Sequence, residues 1–335
     1  MSEPDQQPTP DRMLELLDEG DTEITVAYLD RLGAVDVDAR KRSLRAFRTV
    51  AQERSAAFEG LAAPLSGFLT DEDRAVRLTT AKLFVTLAQV GPSTVLPAVD
   101  TLAGRLADEE EFYYVRARCA EALGYVAAES PDEVTDPETL ADLRLGLEFD
   151  ESEVKEKLAK ALVYVALGDP SRLRHQVSSL AAHLDNDNEL VRYHLCTALV
   201  VVGCEYSEKL SAAESALRER LADDNPYVRG RAAEALAILA DSDVGVTSWP
   251  ELDDIDGDEE MPSFLSDRVR FLRGQVDGTE SESMPDGVGT INSVRAETDA
   301  VVREMKSAGD GECPHCGVDL AASGPPMCPR CGAPR

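Results

Sequence analysis

Apolar and polar residues repeat along this chain with a period far longer than that of one helix or strand. A small apolar residue followed by a basic residue recurs every 37 to 39 positions. The six pairs are Ala39-Arg40, Val76-Arg77, Val115-Arg116, Val154-Lys155, Val191-Arg192 and Val228-Arg229. Small or apolar residues also stand four, seven and eleven positions after each basic residue, as Ala81, Phe84 and Ala88 do after Arg77. Because these offsets lie on one side of a 3.6-residue turn, each pair predicts the start of a helix with a buried stripe.

Residues suited to capping a helix precede four of the six pairs. They are Asp36, Asp73, Asn188 and Asn225, each four positions before its basic residue, whereas Phe112 and Glu151 take that place in the third and fourth repeats. A side-chain oxygen there accepts a hydrogen bond from the first helical turn. Further helices of similar length are expected between these, at 93–107, 172–184 and 208–222. Each repeat is therefore predicted to be two antiparallel helices.

A period of this length is typical of a stacked-repeat solenoid, a fold that presents a long surface. The pattern D-x-x-V-R followed by A-x-x-A-L resembles HEAT-type repeats, in particular the short variety of phycobilisome lyases, over residues 20–242. The resemblance implies an all-α fold, an α-solenoid of about six helix pairs. It also implies that the repeated arginine is structural and pairs with an aspartate of a neighbouring repeat. Scaffolds, adaptors and a few enzymes share these repeats.

The C-terminal residues 311–335 contain two C-P-x-C-G motifs, formed by Cys313 with Cys316 and by Cys328 with Cys331. Four thiolates with this spacing predict one closed tetrahedral zinc site, which holds a small module together without catalysing. The segment resembles the zinc ribbons of archaeal proteins. Iron in a rubredoxin-like site is the main alternative. Two disulfides are disfavoured, since no secretory signal is expected in the polar residues 1–12.

The remaining segments complete the predicted organisation. Residues 1–19 form a polar segment with a capping helix, 243–288 an acidic, partly disordered linker with a short helix near 263–276, and 289–308 an amphipathic helix. Apolar residues recur in that last helix at intervals of three and four, beginning with Ile291 and Val294. We expect both helices to cap the last repeat, whose apolar side would otherwise face water. Self-association or docking to a partner helix is the alternative.

The chain is strongly acidic, with a formal net charge of -30. Its many carboxylates and few lysines resemble proteins of salt-accumulating halophiles, so we expect a cytoplasmic protein. No stretch approaches the ~20 apolar residues of a membrane helix. We expect no membrane association.

Against this acidic background, basic residues and tyrosines gather two, five and nine positions after the repeated pairs. This face of the solenoid, normally the concave one, predicts a partner-binding surface that includes Arg42, Arg45, Lys82, Arg118, Tyr125, Lys157, Lys160, Tyr164 and Arg231. It suits an acidic peptide or a nucleic-acid backbone. Because phosphate binding weakens steeply with salt, the peptide is favoured. The alternative is an ordinary solvated helix surface.

Together these patterns predict a non-enzymatic scaffold that binds a protein partner through the concave face, with the ribbon as an auxiliary contact. A nucleic-acid-associated factor is the first alternative and a lyase-like HEAT enzyme the second. Catalysis is disfavoured because no acid–base pair is evident. The histidines of the repeats, His175, His183 and His194, also lack the adjacent glutamate on which the iron-dependent deoxyhypusine hydroxylases rely.

The zinc prediction is tested by measuring metal content. The purified full-length chain is expected to contain one zinc ion. The double variant Cys313→Ser/Cys328→Ser should lose it while keeping its helical circular dichroism, because a structural zinc folds only its own module. The control Cys204→Ser, in the repeats, should retain the metal. An iron–thiolate absorption band, or metal retained by the double variant, would contradict the prediction.

Overall fold

A computed structural model of the chain describes residues 9–242, Val244, 262–277 and 287–307. All regular structure in these residues is helical. The α-helices are α1 Pro10–Glu19, α2 Thr22–Gly33, α3 Val37–Glu53, α4 Ala62–Ser66, α5 Arg74–Val90, α6 Val99–Ala107, α7 Tyr113–Ala127, α8 Pro137–Leu145, α9 Ser152–Gly168, α10 Val177–Ala181, α11 Glu189–Gly203, α12 Glu214–Arg220, α13 Pro226–Ala240, α14 Ser263–Asp277 and α15 Ile291–Met305. None of them is long and apolar enough to cross a membrane.

Six long helices form one row in sequence order. They are α3, α5, α7, α9, α11 and α13, and each packs against the next. Each carries one of the repeated pairs in its first turns, so the sequence period is the spacing of this row. The buried stripes of all six belong to one continuous apolar core that also includes the second layer. This confirms the predicted all-α solenoid.

The second layer differs from the sequence expectation of helices as long as those of the row. The segment expected at 93–107 is a 3-10 turn, Pro92–Ala98, followed by the short helix α6. The segments expected at 172–184 and 208–222 are likewise divided, with only α10 and α12 as α-helix. In the first of these segments Pro97 lacks the N–H that a continuous α-helix would use, which accounts for the break.

The predicted caps are present. The side chains of Asp36, Asp73, Asn188 and Asn225 each accept a hydrogen bond from a backbone N–H in the first turn of their helix. Phe112 and Glu151 provide no such bond, as the sequence indicated. Losing a capping side chain typically costs a helix about 1 kcal/mol.

The repeated arginines join consecutive repeats. Arg77 donates two hydrogen bonds to the Glu111 carboxylate, at 2.7 and 2.9 Å, and Arg192 binds Asp223 in the same bidentate way at 2.7 and 2.8 Å. Arg40 forms an ion pair with Asp71, 2.9 Å from Nε to Oδ2. Each acid lies in the turn before the next long helix. The same guanidinium also donates to a carbonyl in the turn before its own helix, as Arg77 does to Asp71 at 2.8 Å.

The third repeat replaces this ion pair with an aromatic contact. Phe149 stands where Asp71, Glu111 and Asp223 stand in the repeats described above, and the Arg116 guanidinium lies 4.8 Å from the centre of its ring. Arg116 also donates to the carbonyl of Leu106 at 2.8 Å. A guanidinium over an aromatic face retains part of the electrostatic attraction. The arginine is therefore kept although its acidic partner is absent.

The two helices after the repeats take different positions. α14 packs along α13 and covers the end of the row, which is the capping position predicted for both helices. α15 instead contacts α11, in the middle of the C-terminal half of the row. The four cysteines of the predicted zinc site lie outside the described residues.

Helices α7 and α9 approach so closely that only glycine fits at one point of their contact. A Cβ atom at Gly124 would lie 2.7 Å from the Cα of Ala161, whereas one at Gly104, exposed on α6, would meet nothing within 4 Å. The substitution Gly124→Ala is therefore expected to lower the free energy of unfolding by about 1–3 kcal/mol. The matched change Gly104→Ala should raise it by about 0.5–1 kcal/mol, because alanine restricts the unfolded chain.

Chemical denaturation of both variants beside the parent chain measures these differences. Equal stability of Gly124→Ala and Gly104→Ala would mean that the two helices are not in this close contact.

Candidate functional site

The inner face is defined here as the side of the long-helix row that carries the positions two, five and nine after each repeated pair. Its N-terminal half, on α3, α5 and α7, is open. Arg42 and Arg45 are exposed, and Lys82 and Arg118 are partly exposed. The predicted basic residues of this half can therefore be reached by a partner from solvent.

Four basic side chains of this half form a cluster, which we call the basic cluster: Arg45, Arg48, Lys82 and Arg118. Partial burial lowers the pKa of Lys82, and the positive charges of Arg118, Arg48 and Arg45 lower it further, while Glu153 opposes them. Arg118 binds Glu121 at 2.8 Å and Glu153 at 3.1 Å. Within the described residues, the other three form no ion pair within 4 Å. The cluster therefore has an excess of positive charge.

In the middle of the inner face, the predicted residues satisfy one another. The Lys160 ammonium binds the Glu121 carboxylate at 3.1 Å and the Tyr125 hydroxyl at 2.6 Å. The rings of Tyr125 and Tyr164 are in contact, with centroids 4.5 Å apart and planes tilted by 43°. Burial alone would lower the pKa of Lys160, but Glu121 and Tyr125 outweigh it and raise that pKa. These side chains form a rigid polar layer between the two halves.

The C-terminal half of the inner face is covered by α15. Three contacts place α15 along α9: Arg295 with the Leu167 carbonyl, Asp299 with the Tyr164 hydroxyl at 2.7 Å, and Lys306 with Glu156 at 2.6 Å. The residue numbers rise along one helix and fall along the other, so the two run antiparallel. On the opposite side Glu297 meets Arg231 of α13, so α15 lies above α11 between its two neighbours.

A largely buried ionic cluster lies beneath this helix. Arg231 is 0% exposed and binds Glu234 at 2.7 Å and Glu297 at 3.0 Å. Arg268 of α14 binds the same two carboxylates, with 2.9 Å to Glu234. Burial would raise the pKa of Glu234, but Arg231 and Arg268 outweigh it and lower that pKa. The cluster thus links the last repeat, α14 and α15.

The predicted partner surface is therefore divided. Arg42, Arg45, Lys82 and Arg118 are accessible, whereas Arg231 is enclosed and Lys157 is only 8% exposed, paired with Glu156 at 3.0 Å. Arg231 contacts the chain's own helices here, so it is not available to an external partner in this conformation.

Sequence reasoning missed several residues of this face. Arg48 lies one turn from Arg45 and belongs to the basic cluster, while Arg268, Glu297 and Asp299 come from helices beyond the repeats. One sequence signal for the covering helix existed. The inner-face positions of α11 are His194, Thr197 and Val201, which lack the lysines and arginines of the other repeats, and the first two are 0% exposed.

The buried nucleophiles and bases of the repeats are not poised for catalysis. Burial raises the pKa of the Cys196 thiol to about 12 and that of Cys204 to about 12, so neither is a thiolate at neutral pH. Burial lowers the pKa of His194 to about 3, so it stays neutral. Among the described residues, no group of three or more histidine, cysteine, aspartate or glutamate side chains is arranged to hold a metal ion.

Comparison with known proteins identifies the fold. No family model and no curated protein matches the chain. Among solved structures, an engineered protein is 20% identical, with a TM-score of 0.63 over 80% of this chain and 71% of its own. A designed armadillo repeat protein in complex with the peptide (KR)4 is also 20% identical, with a TM-score of 0.52 over 70% of this chain and 100% of its own. The chain thus has the fold of a helical-repeat solenoid.

The burial of His194 predicts a specific acid sensitivity. Neither ring nitrogen has a hydrogen-bond partner in the described part of the chain, and Lys160, Lys157 and Lys306 disfavour a further positive charge while Glu156 favours it. The folded pKa is about 3 against 6.5 for a free histidine. Between these values the unfolded chain binds a proton that the folded chain does not. Stability is therefore lost as the pH falls through this window, by about 1.4 kcal/mol per pH unit.

The variant His194→Leu is expected to remove this contribution. Its free energy of unfolding should fall less steeply than that of the parent between about pH 6 and pH 4, by about 1.4 kcal/mol per unit. At pH 7 it should be at least as stable, since it removes an unsatisfied polar group. Denaturant titrations over this range measure the slopes. The control His175→Leu, at an exposed position, should keep the parental slope; parallel curves for all three chains would contradict the assignment.

Proposed function

We propose that this protein is a non-enzymatic scaffold that binds an acidic segment of a partner protein along the N-terminal half of its inner face. The observation that carries the proposal is the basic cluster. In a chain with a formal net charge of -30, Arg45, Arg48 and Lys82 have no ion-pair partner within 4 Å among the described residues. Such a local excess of positive charge attracts and orients an anionic ligand.

The neighbouring solved structures support a peptide ligand. One of them is a designed armadillo repeat protein described as computationally designed for modular peptide recognition, and another carries the basic peptide (KR)4. A row of parallel long helices offers a regularly spaced surface to an extended peptide. In the present chain the charge of the open half is positive, so the complementary segment is acidic rather than basic.

The zinc ribbon predicted for residues 311–335 supplies an auxiliary contact in this proposal. Its single zinc ion is structural, held by Cys313, Cys316, Cys328 and Cys331.

Arginine side chains suit the binding of carboxylates in concentrated salt because they bind both oxygens at once with directed hydrogen bonds. This agrees with a cytoplasmic protein of a salt-accumulating organism, which the acidic composition indicates.

A nucleic-acid ligand is the second candidate, because the same four basic side chains would also contact phosphates. The overall negative charge opposes a long polyanion more strongly than a short acidic segment. Catalysis has the least support, since the buried cysteines are protonated and His194 is neutral at physiological pH.

The proposal is tested with a fluorescent acidic octapeptide, (DE)4, titrated with the full-length chain at low and at molar KCl. Binding is expected for (DE)4 and not for (KR)4. The variant Arg45→Glu/Arg48→Glu/Lys82→Glu should bind (DE)4 at least about ten-fold more weakly, because it reverses the local charge. Fluorescence anisotropy measures the affinity.

A matched variant separates local from overall charge. Arg31→Glu/Lys209→Glu/Arg270→Glu makes the same change in net charge at exposed or partly exposed positions outside the basic cluster and should bind (DE)4 like the parent chain. Equal weakening in both triple variants, or no binding of (DE)4 by the parent at low salt, would refute the proposal. Stronger binding of a single-stranded oligonucleotide of equal charge would favour the nucleic-acid candidate instead.

A further inference from the structure

Helix α15 is placed on the inner face as a bound ligand would be. Two polar side chains diverge from it, with Glu297 directed to Arg231 of α13 and Asp299 to Tyr164 of α9. Thr298, between them in sequence, is buried, as are Val294 and Val301 on the same side. Successive side chains of an α-helix are rotated by roughly 100° about its axis. Because Thr298 points into the solenoid, Glu297 and Asp299 point to opposite sides of the helix. The helix spans α9 and α13 and rests on α11.

We propose that the C-terminal half of the inner face is a second binding surface, which accepts an amphipathic helix of a partner protein, and that α15 is the internal ligand which this helix replaces. The partner helix carries an acid, a small residue and a second acid at the places of Glu297, Thr298 and Asp299, with apolar residues at those of Val294 and Val301. This inference extends the proposed function to the other half of the same face and rests on it.

The charge balance beneath α15 explains why the ligand must be acidic. Without α15, the two guanidiniums of Arg231 and Arg268 would face the single carboxylate of Glu234. Beneath a covering helix that lacks an acid at this place, one positive charge would remain without its own counter-charge in a buried site, which is costly. A carboxylate at the place of Glu297 restores the balance, whereas an uncharged or basic side chain does not.

The same cluster makes replacement possible. When α15 leaves, Arg231 and Arg268 both keep their bonds to Glu234, at 2.7 and 2.9 Å, and Tyr164 keeps its ring contact with Tyr125. The contacts between neighbouring long helices do not involve α15. Uncovering the face therefore exposes polar groups that water can solvate, together with the apolar surface covered by Val294 and Val301, and leaves the repeats in place.

Exposure of Cys204 provides the readout for this replacement. The Cys204 thiol donates to the carbonyl of Gly289, two residues before α15, at 3.3 Å, and partial burial raises the pKa of this thiol to about 12, which slows its reaction. Cys119 and Cys196, fully buried in the repeats, report general unfolding. Alkylation of the zinc-loaded full-length chain, followed by peptide mass mapping, gives the labelling rate at each of the three.

The variant Glu297→Arg is expected to release α15, because it places a third positive charge against Arg231 and Arg268. Labelling of Cys204 should become at least about ten-fold faster, in proportion to the open population, while Cys119 and Cys196 stay unreactive. Glu219→Arg, the same change at an exposed position of α12, should label at the parental rate.

A synthetic peptide of residues 287–307, which includes Gly289, then tests binding by a separate helix. Added to the Glu297→Arg chain, it should return Cys204 to the parental labelling rate, and the same peptide with the Glu297→Arg change should not. In the parent chain the peptide should not change the labelling rate of Cys204, because the tethered α15 competes with it at an effective concentration of about 1 mM.

Three results would overturn the inference. Unchanged Cys204 labelling in Glu297→Arg would mean that this carboxylate does not hold α15 in place. Labelling of all three cysteines would show that α15 is part of the folding unit. Faster Cys204 labelling without rescue by the peptide would show that the face does not accept a separate helix. None of these assays uses the basic cluster, so (DE)4 binding distinguishes failure of this inference from failure of the proposed function.

Discussion

The alignment of neighbouring long helices in the solenoid depends on arginine side chains that bind two consecutive turns at once. Arg77 and Arg192 each bind a carbonyl in the turn before their own helix and a carboxylate in the turn before the next. Apolar stripes alone would let neighbouring helices slide or rotate, because hydrophobic contact has no direction. A bidentate ion pair with little exposure has a direction, and breaking one by removing a single partner costs about 3–5 kcal/mol. The helix positions two, five and nine after the pair are thereby kept on one face.

The same chemistry serves a different purpose at the C-terminal end of that face. Between the repeats, Arg40, Arg77 and Arg192 each meet a carboxylate of the turn before the next long helix, so both partners of these pairs belong to the row itself. Around Arg231, one of the two carboxylates belongs to α15, which comes from beyond the repeats. The network is therefore complete only while that helix is in place. Buried ionic groups of this kind contribute specificity for a particular partner more than they contribute stability.

The sequence predicts what is periodic and local. The spacing of the repeated pairs predicts the row of long helices, and the residues four positions earlier predict their caps, because each signal depends on a few neighbouring residues. The short second layer was not predicted, since its 3-10 turns have no strong pattern. The position of α15 was not predicted either. Periodicity indicates which side of a helix is buried, as at Val294 and Val301, but not the surface that buries it.

The two halves of the inner face differ in how far their charged groups are exposed to solvent, and therefore in how strongly salt screens them. The basic cluster is partly solvated, so salt screens its attraction for an anionic segment. The site of Glu297 is more sheltered, since its side chain is 27% exposed and its carboxylate lies 3.0 Å from the guanidinium of Arg231, which is 0% exposed. Screening by salt affects such a pair much less. Recognition at the covered half, as proposed above, would therefore depend less on salt than recognition at the basic cluster.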